Sequence, residues 1–490
     1  MKIVTPKQMK LLEATADHNG ISYEQLMLNA GNILADEISK KTTSSDRILF
    51  LCGNGNNAGD CFVASKILLE KYSYNRIIIA LLCGLPKTEL SKKMFNAMDN
   101  NISIISDYNG IKSNMQDATL ICDGIFGTGF HGEISNDIQD ILKTPHNAYV
   151  LAVDIPSGVD CTSGRVSTGT LKANETLTFA FKKLGMIFKD AKSFCGNISI
   201  ADIGITYEHY ISCIENSIEM LDLSNIELPK RSDYGHKGSF GRLLHITGSK
   251  NMVGACIMAS KSALRCGVGL LTICTENHDL LPISMPEPIY LNRNFDDISK
   301  ELQKSTGVLI GCGLGTCEKS VELFKYVVNN AECPLIIDAD GINILSNCID
   351  IIKNKQVILT PHPLEMARLT KLSINEVQSN RLDVATKFAK QYNCVVILKG
   401  ANTIVTDGKH TFIDTVANSG MSKGGSGDVL AGIVSSFVAQ GVPLIDACKL
   451  SVYIHSQSGL NCAKKLSVYS MLPTDVINEI PNVIKSIDNK

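Results

Sequence analysis

At 490 residues the chain is too long for one ordinary hydrophobic core, and its length favours two or three domains. It is 44% hydrophobic and 20% charged, lacks tryptophan and carries a formal net charge of −2, which leaves no basic footprint for nucleic acid or for an anionic membrane. The 17 cysteines lie singly in apolar segments such as "LICDG" and "ALRCGVG" with no C-x-x-C pair, so they read as reduced thiols of a cytoplasmic protein and not as a disulfide scaffold.

In chain order, "MKIVTPKQMKLLEATA" predicts a charged helix without the apolar core of a secretion signal. Short β-branched or apolar runs then alternate with helical pieces through "RILFLCG" (47–53), "FVASKILLEKY" (62–72), "NRIIIALLCG" (75–84), "ATLICDGIFG" (118–127) and "NAYVLAVDIPSG" (147–158). Continuous apolar strands are buried on both faces, and their alternation with helices predicts a parallel doubly wound sheet with its ligand at the carboxyl ends of the strands. Three strand-to-loop motifs fall there: "CGNGNNAGDCFVA" (52–64), "CDGIFGTGFHGE" (122–133) and "VDIPSGVD" (153–160). The first, taken alone, is either a tight polar turn capped by an aspartate or an anion-binding loop. All three at one sheet edge predict a cleft with Asp60, Asp123 and Asp154 around a glycine-rich anion pocket.

After "GNISIADIGI" (196–205) the polar passage from Glu215 to Gly241 marks a domain boundary, and domains of 1–222 and 228–490 are expected. The α/β alternation then restarts. Its longest uncharged stretch, Val429 to Ile445, is shorter than the about 20 apolar residues a membrane span needs, so it predicts a core helix. No H-E-x-x-H or zinc-finger spacing occurs, and no structural zinc is expected.

The stretch "GGSGD" (424–428) opens that helix. Glycines before a helix start bare several N–H groups and the positive end of the macrodipole, a phosphate-binding arrangement. An aspartate there is either a helix cap or a base that takes a proton from a substrate hydroxyl. Its company favours the base. "LKGANTIVTDG" (398–408) offers Lys399, Gly400 and Thr403 to a nucleotide phosphate, "TPHPLEMARL" (360–369) holds His362 between two prolines, and "IDADGINIL" (337–345) and "IGCGLG" (310–315) end two more strands.

From about residue 230 to 490 these motifs, with "HKGSFG" and "GSKNMVGAC", resemble the NAD(P)H-hydrate dehydratase family, a branch of the ribokinase-like superfamily. The resemblance implies an ADP- or ATP-dependent reaction, with Mg2+ beside the nucleotide, on nicotinamide cofactor hydrated at C6. It implies that Ala255, Gly315, His362 and Asp428 meet the hydrated dinucleotide. Lys399, Gly400, Ala401, Asn402, Thr403 and Gly427 would meet the adenine nucleotide, and Asp428 would be the catalytic base. Cys312 stands where the family usually has proline, Leu364 where glycine is common, and Ser422-Lys423 where Ala-Thr is favoured.

Residues 1 to about 220 resemble the NAD(P)H-hydrate epimerase domain. That resemblance implies dinucleotide contacts from Asn56, Asn57, Ala58, Gly59 and Asp60, from Gly127, Thr128, Gly129, Phe130, His131, Gly132 and Glu133, and from Asp154. It also implies a potassium ion on Asn57, Asp123, Ser157 and some backbone carbonyls, with Asp123 catalytic; oxygen ligands suit such a hard cation. Ala58 and Cys61 replace two glycines of the usual motif. The expected fold class is α/β, with two doubly wound three-layer domains, Rossmann-like then ribokinase-like, acting as a bifunctional cofactor-repair enzyme and assembling as a homo-oligomer. The alternatives are a ribokinase-like small-alcohol kinase, and an N-terminal half that only binds nucleotide or protein.

Overall fold

The computed structural model describes residues 1–489 except positions 278 and 280. The chain divides into one unit of Lys2–Glu215 and another of Met1 with Asn216–Lys490.

In the first unit seven strands run in the order Ser103–Ile105, Ile77–Leu81, Ile48–Cys52, Leu120–Gly124, Tyr149–Val153, Glu175–Phe179 and Asn197–Ala201, all parallel. Successive side chains of Ile48–Cys52 enter opposite cores. Phe50 packs with helices Tyr23–Lys41 and Asn56–Glu70, while Leu49 and Leu51 pack with Ile111 and Ile138 of the helices on the other face. That two-sided burial is why the strand reads as a continuous apolar run. The strand order reverses between Ile48–Cys52 and Leu120–Gly124, the switch point at which doubly wound sheets open a crevice. The N-terminal helix begins only at Pro6, where Thr5 and Gln8 form a capping box; Lys2–Val4 ahead of it is a strand paired with Lys182–Lys183.

In the second unit parallel strands run in the order Ile289–Leu291, Leu270–Cys274, Arg242–Ile246, Gly307–Ile310, Leu335–Ile337, Val357–Leu359 and Val395–Leu398, followed by antiparallel Ile404–Thr406 and His410–Ile413. Ser217–Met220 pairs in parallel with His410–Ile413. This pairing carries residues 217–220 into the C-terminal unit, so the units part between Glu215 and Asn216, ahead of the limit at 222 read from composition.

The uncharged stretch forms the helix Ser426–Ala439, buried along almost its whole length, but it breaks at Gln440, and Leu444 and Ile445 open the next helix, Leu444–Leu466. Helix Ser426–Ala439 lies so close to helix Val253–Arg265 that a Cβ on Gly432 would come within 2.0 Å of the Ala259 carbonyl oxygen, a contact only glycine permits. Among the described residues, no helix is long and apolar enough to cross a membrane.

Candidate active sites

At the carboxyl edge of the C-terminal sheet, Asp338 follows strand Leu335–Ile337 and is buried. Its Oδ1 accepts from Lys399 Nζ at 2.8 Å and from Thr360 Oγ1 at 2.6 Å, and its Oδ2 lies 3.6 Å from Cys312 Sγ. The next residue, Ala339, has a φ of 50°, a conformation that costs a non-glycine residue about 1–3 kcal/mol and that turns the chain sharply between Asp338 and Asp340. Asp340 accepts from the Gly315 N–H at 2.8 Å, which ties the "GCGLG" loop to the same edge. Gly313 of that loop is so close to helix Val253–Arg265 that a Cβ there would stand 3.0 Å from Ala255 Cβ.

Asp428 sits in the first turn of helix Ser426–Ala439, whose N-cap is Gly425 with a φ of 99° and no side-chain cap bond. The aspartate is therefore not the cap. Burial and then the Asp338 carboxylate push it up to about 6, against the Cys312 thiol and the Lys399 ammonium, which favour the charged form. Lys399 is drawn down by burial but is held above its usual range by Asp338 and by Glu365, whose Oε2 is 3.8 Å away. Burial likewise takes Glu365 up to about 7. Gly427 completes the cluster, since a Cβ on it would lie 3.3 Å from Lys399 Nζ. The loop from Lys399 to Asn402 is gripped from beneath by Arg381, which donates to the carbonyls of Leu398, Lys399 and Asn402. Gly400 and Ala401 form its outer edge, and Thr403 Oγ1 closes it on the Gly400 carbonyl at 3.0 Å. His362 caps helix Pro363–Thr370: its Nδ1 accepts from the N–H groups of Leu364 and Glu365, and its Nε2 is 3.3 Å from Glu365 Oε1. Lys423 donates to the Tyr469 and Met471 carbonyls and so closes the loop before the helix.

In the N-terminal unit the three predicted aspartates have different partners. Asp123 ends strand Leu120–Gly124 and is buried. Its Oδ2 accepts from the Ser157 N–H at 2.8 Å, while its Oδ1 is buried with no hydrogen-bond partner. Burial pushes this carboxyl up, opposed by the hydrogen bonds from Ser157 and from the Ile125 backbone. The Asn57 amide donates to the carbonyls of Phe126 and Val153, both at 3.1 Å, and Ser157 Oγ accepts from the Phe126 N–H at 2.8 Å.

Asp154 has partners of its own. It has a φ of 66°, and its Oδ1 accepts from the Phe179 N–H at 3.0 Å, from Thr178 Oγ1 and from the fully buried Lys183 ammonium. Lys183 also donates to the Phe179 carbonyl at 2.8 Å. Asp60, inside helix Asn56–Glu70 and not a cap, is pushed far up by burial and by the charges of Asp154 and Glu13. Burial and Asp154 take Glu13 up to about 7. Asp60, Asp154 and Glu13 thus act on one another electrostatically with Lys183 among them, while Asp123 is held by Ser157.

Residues 243–482 match the family model described as NAD(P)H-hydrate dehydratase, and residues 23–185 match that of the YjeF-related protein N-terminus. The bifunctional NAD(P)H-hydrate repair enzyme Nnr of Coxiella burnetii is 31% identical over 96% of this chain and 96% of its own length. The Moorella thermoacetica enzyme of the same name is 30% identical over 100% of this chain and 98% of its own. This chain belongs to the bifunctional NAD(P)H-hydrate repair enzymes. A ribokinase-like superfamily protein of Enterococcus faecalis, solved by crystallography, superposes with a TM-score of 0.51 at 29% identity, covering 55% of this chain and 96% of its own. The α/β class and the ribokinase-like C-terminal unit are thereby established.

Of the repair-enzyme residues read from the motifs, Ala255, Gly315, His362, Lys399, Gly427 and Asp428 come to one sheet edge in the second unit. Asn57, Gly127, Asp123 and Ser157 come together in the first, where a Cβ on Gly127 would meet Asn57 Cβ at 3.3 Å. Thr128, Gly129 and Gly132 line an open loop, while Phe130 packs on Phe126 with ring centroids 5.0 Å apart. Two loop residues are committed elsewhere: Glu133 accepts from Ser167 Oγ and the Thr168 N–H, and His131 Nδ1 is 2.7 Å from Asp160. Asn56 accepts from Thr88 Oγ1 at 2.6 Å, while Ala58 and Gly59 are buried in the first turns of their helix. Asp338, Glu365, Lys183 and Glu13 were missed by sequence reasoning. A buried-strand aspartate followed by an acidic helix start signals Asp338; nothing local marks Lys183 or Glu13.

Proposed function

We propose that this chain repairs nicotinamide cofactor hydrated at C6: the N-terminal unit interconverts the R and S epimers, and the C-terminal unit dehydrates the S epimer with ADP or ATP. The observation that carries the dehydratase half is the uncapped Asp428 carboxyl, raised to about 6, beside the bare first turn of helix Ser426–Ala439 and the Lys399 ammonium. A carboxyl with that titration is charged at neutral pH yet basic enough to accept a hydroxyl proton. Asp428 takes the C6 hydroxyl proton as the oxygen attacks the terminal phosphoryl group. The helix N–H groups and Lys399 stabilise the charge on the transferred group. The ring nitrogen lone pair then expels phosphate from C6, and loss of a C5 proton restores the dihydropyridine. Asp338 and Asp428 give hard oxygens suited to Mg2+ held mainly by nucleotide phosphates.

For the epimerase half, the support is the unpartnered Asp123 Oδ1 close to Ser157 and the Phe126 carbonyl. This oxygen-only set fits a potassium ion, and turning the Asn57 amide over would add a further oxygen. A bound potassium would anchor the dinucleotide beside the Gly-rich loop. Asp123 is the catalytic carboxyl of this half, and Lys183 fixes the orientation of Asp154. The 17 free cysteines support a reducing, cytoplasmic setting, and a homo-oligomer is the assembly we expect.

Product analysis tests the reading. With purified chain, S hydrate and nucleotide, inorganic phosphate and reduced cofactor should appear together; a stable phosphate ester would instead identify a kinase.

A further inference from the structure

One member of the dehydratase cluster does not suit magnesium. Cys312, Asp338 and Asp428 each offer a ligand atom, and the three atoms lie within 4.8 Å of one another, the one such cluster of three or more among the described residues. Cys312 and Asp338 are buried, and Asp428 is half-buried. Zinc bonds of about 2.3 Å to sulfur and 2.0–2.2 Å to oxygen, set at a tetrahedral angle, separate the two ligand atoms by about 3.5 Å. Cys312 Sγ donates a hydrogen bond to Asp338 Oδ2 at 3.6 Å, so the two ligand atoms already stand at that separation when a proton lies between them.

The cluster is also held in place before any ion arrives. Lys399 and Thr360 both occupy Oδ1 of Asp338, which leaves Oδ2 facing the sulfur. Cys312 is fixed between Gly311 and Gly313, with φ of 124° and 61°; a Cβ on Gly311 would fall 2.0 Å from the Asp338 carbonyl oxygen. Asp428 is carried by a helix buried along its length. Charge closes as well: a divalent ion and the Lys399 ammonium balance a thiolate and two carboxylates.

We propose that the dehydratase site binds a thiophilic divalent cation of the zinc type through Cys312, Asp338 and Asp428, with its fourth position open. Binding displaces the Cys312 thiol proton and any proton on Asp428 to solvent, forms one metal–sulfur and two metal–oxygen bonds, and changes no oxidation state. It occupies the carboxylate that accepts the substrate proton, so the ion silences dehydration and leaves epimerisation running. That consequence, though not the site itself, rests on the role proposed for Asp428.

Cobalt(II) titrated into the full chain tests the site without reference to activity. One equivalent should produce the near-ultraviolet thiolate-to-cobalt charge-transfer band, and zinc should abolish it by displacement. Cys312→Ser should remove the band. Asp428→Asn, which keeps the sulfur and the side-chain shape, should retain a band but weaken cobalt binding by more than about 10-fold, at least the loss seen when an outer-sphere partner of a metal is removed. A band that survives in Cys312→Ser, or no band in the parent, overturns the site. A band in the parent with dehydration undiminished at saturating zinc leaves the site standing and overturns its inhibitory role, and with it the assignment of Asp428.

Discussion

The Lys399 ammonium lies 2.8 Å from Asp338 Oδ1, and the bare Cα of Gly427 leaves it room to reach the first turn of the buried helix. One cation thus joins a strand end, a nucleotide-loop candidate and a helix N-terminus. Removing it as Lys399→Met strands Asp338 in a buried position with hydrogen bonds only from Thr360 and the Cys312 thiol. Breaking such a pair costs about 3–5 kcal/mol, so urea unfolding of this variant should show that loss in the C-terminal transition together with loss of dehydration. Lys399→Arg should restore much of the stability and little of the rate, because the planar fork does not fit the point contact beside Gly427.

Gly427→Ala separates stability from chemistry. Gly427 lies in a helical turn, where alanine is favoured by up to about 1 kcal/mol, so the melting temperature should hold or rise. Its new Cβ, at 3.3 Å from Lys399 Nζ, obliges the ammonium to shift slightly, so dehydration should fall, by less than the ~100-fold that a misplacement of about 1 Å costs. Steady-state kinetics with varied nucleotide will show whether dehydration falls while the fold is unharmed.

For Asp428→Asn, dehydration should fall by on the order of 10²–10⁴ with nucleotide binding nearly intact, since the amide keeps its shape but accepts no proton. In the parent, the base must be ionised, so kcat/KM should drop as pH falls through about 6, the range to which burial and Asp338 raise this carboxyl. A limb controlled by Glu365 would lie nearer 7. Loss of that limb in Asp428→Asn is the check.

Asp123→Ala should abolish potassium binding and epimerisation together while dehydration of pure S hydrate stays within a few-fold. The cause is the loss of the unpartnered Oδ1 and of the Ser157 anchor. Potassium titration followed by tryptophan-free probes such as thallium(I) NMR, alongside epimer exchange, measures both.

We also propose that the two units fold separately, cut between 215 and 216. A fragment of 228–490 lacks strand Ser217–Met220 and bares the edge of His410–Ile413, so it should be less soluble than 216–490, which keeps the pairing. Expression of both fragments and their sedimentation will compare them.

How far the sequence carried depended on the kind of signal. Strands such as Ile48–Cys52 were legible because burial on both faces leaves an unbroken apolar run, and the "GGSGD" helix was legible from its glycines and lack of charge. The Ser217–Met220 strand was hidden because its mixed, partly buried residues look like linker, and only pairing with His410–Ile413 makes them a strand. Asp338 lies inside "IDADGINIL", yet its distinction comes from the positive φ of Ala339 and from Lys399, which is remote in sequence. Lys183 reads as one of two ordinary lysines in "FKKLG"; its complete burial against Asp154 arises from tertiary packing alone. Likewise the three cleft aspartates look equivalent in sequence, and only the structure shows Asp154 paired with Lys183 while Asp123 is bonded to Ser157.

The most direct measurement follows reduced-cofactor absorbance when the purified full chain meets an equal mixture of R and S hydrate, with ADP or ATP added in turn. Two coupled activities predict recovery of the whole mixture, in a fast phase from S and a slower one set by epimerisation, with one phosphate released per cofactor restored. In Asp123→Ala only the S half should recover. Recovery of both epimers by Asp123→Ala at the parent rate, or no nucleotide-dependent recovery by the parent, would contradict the account.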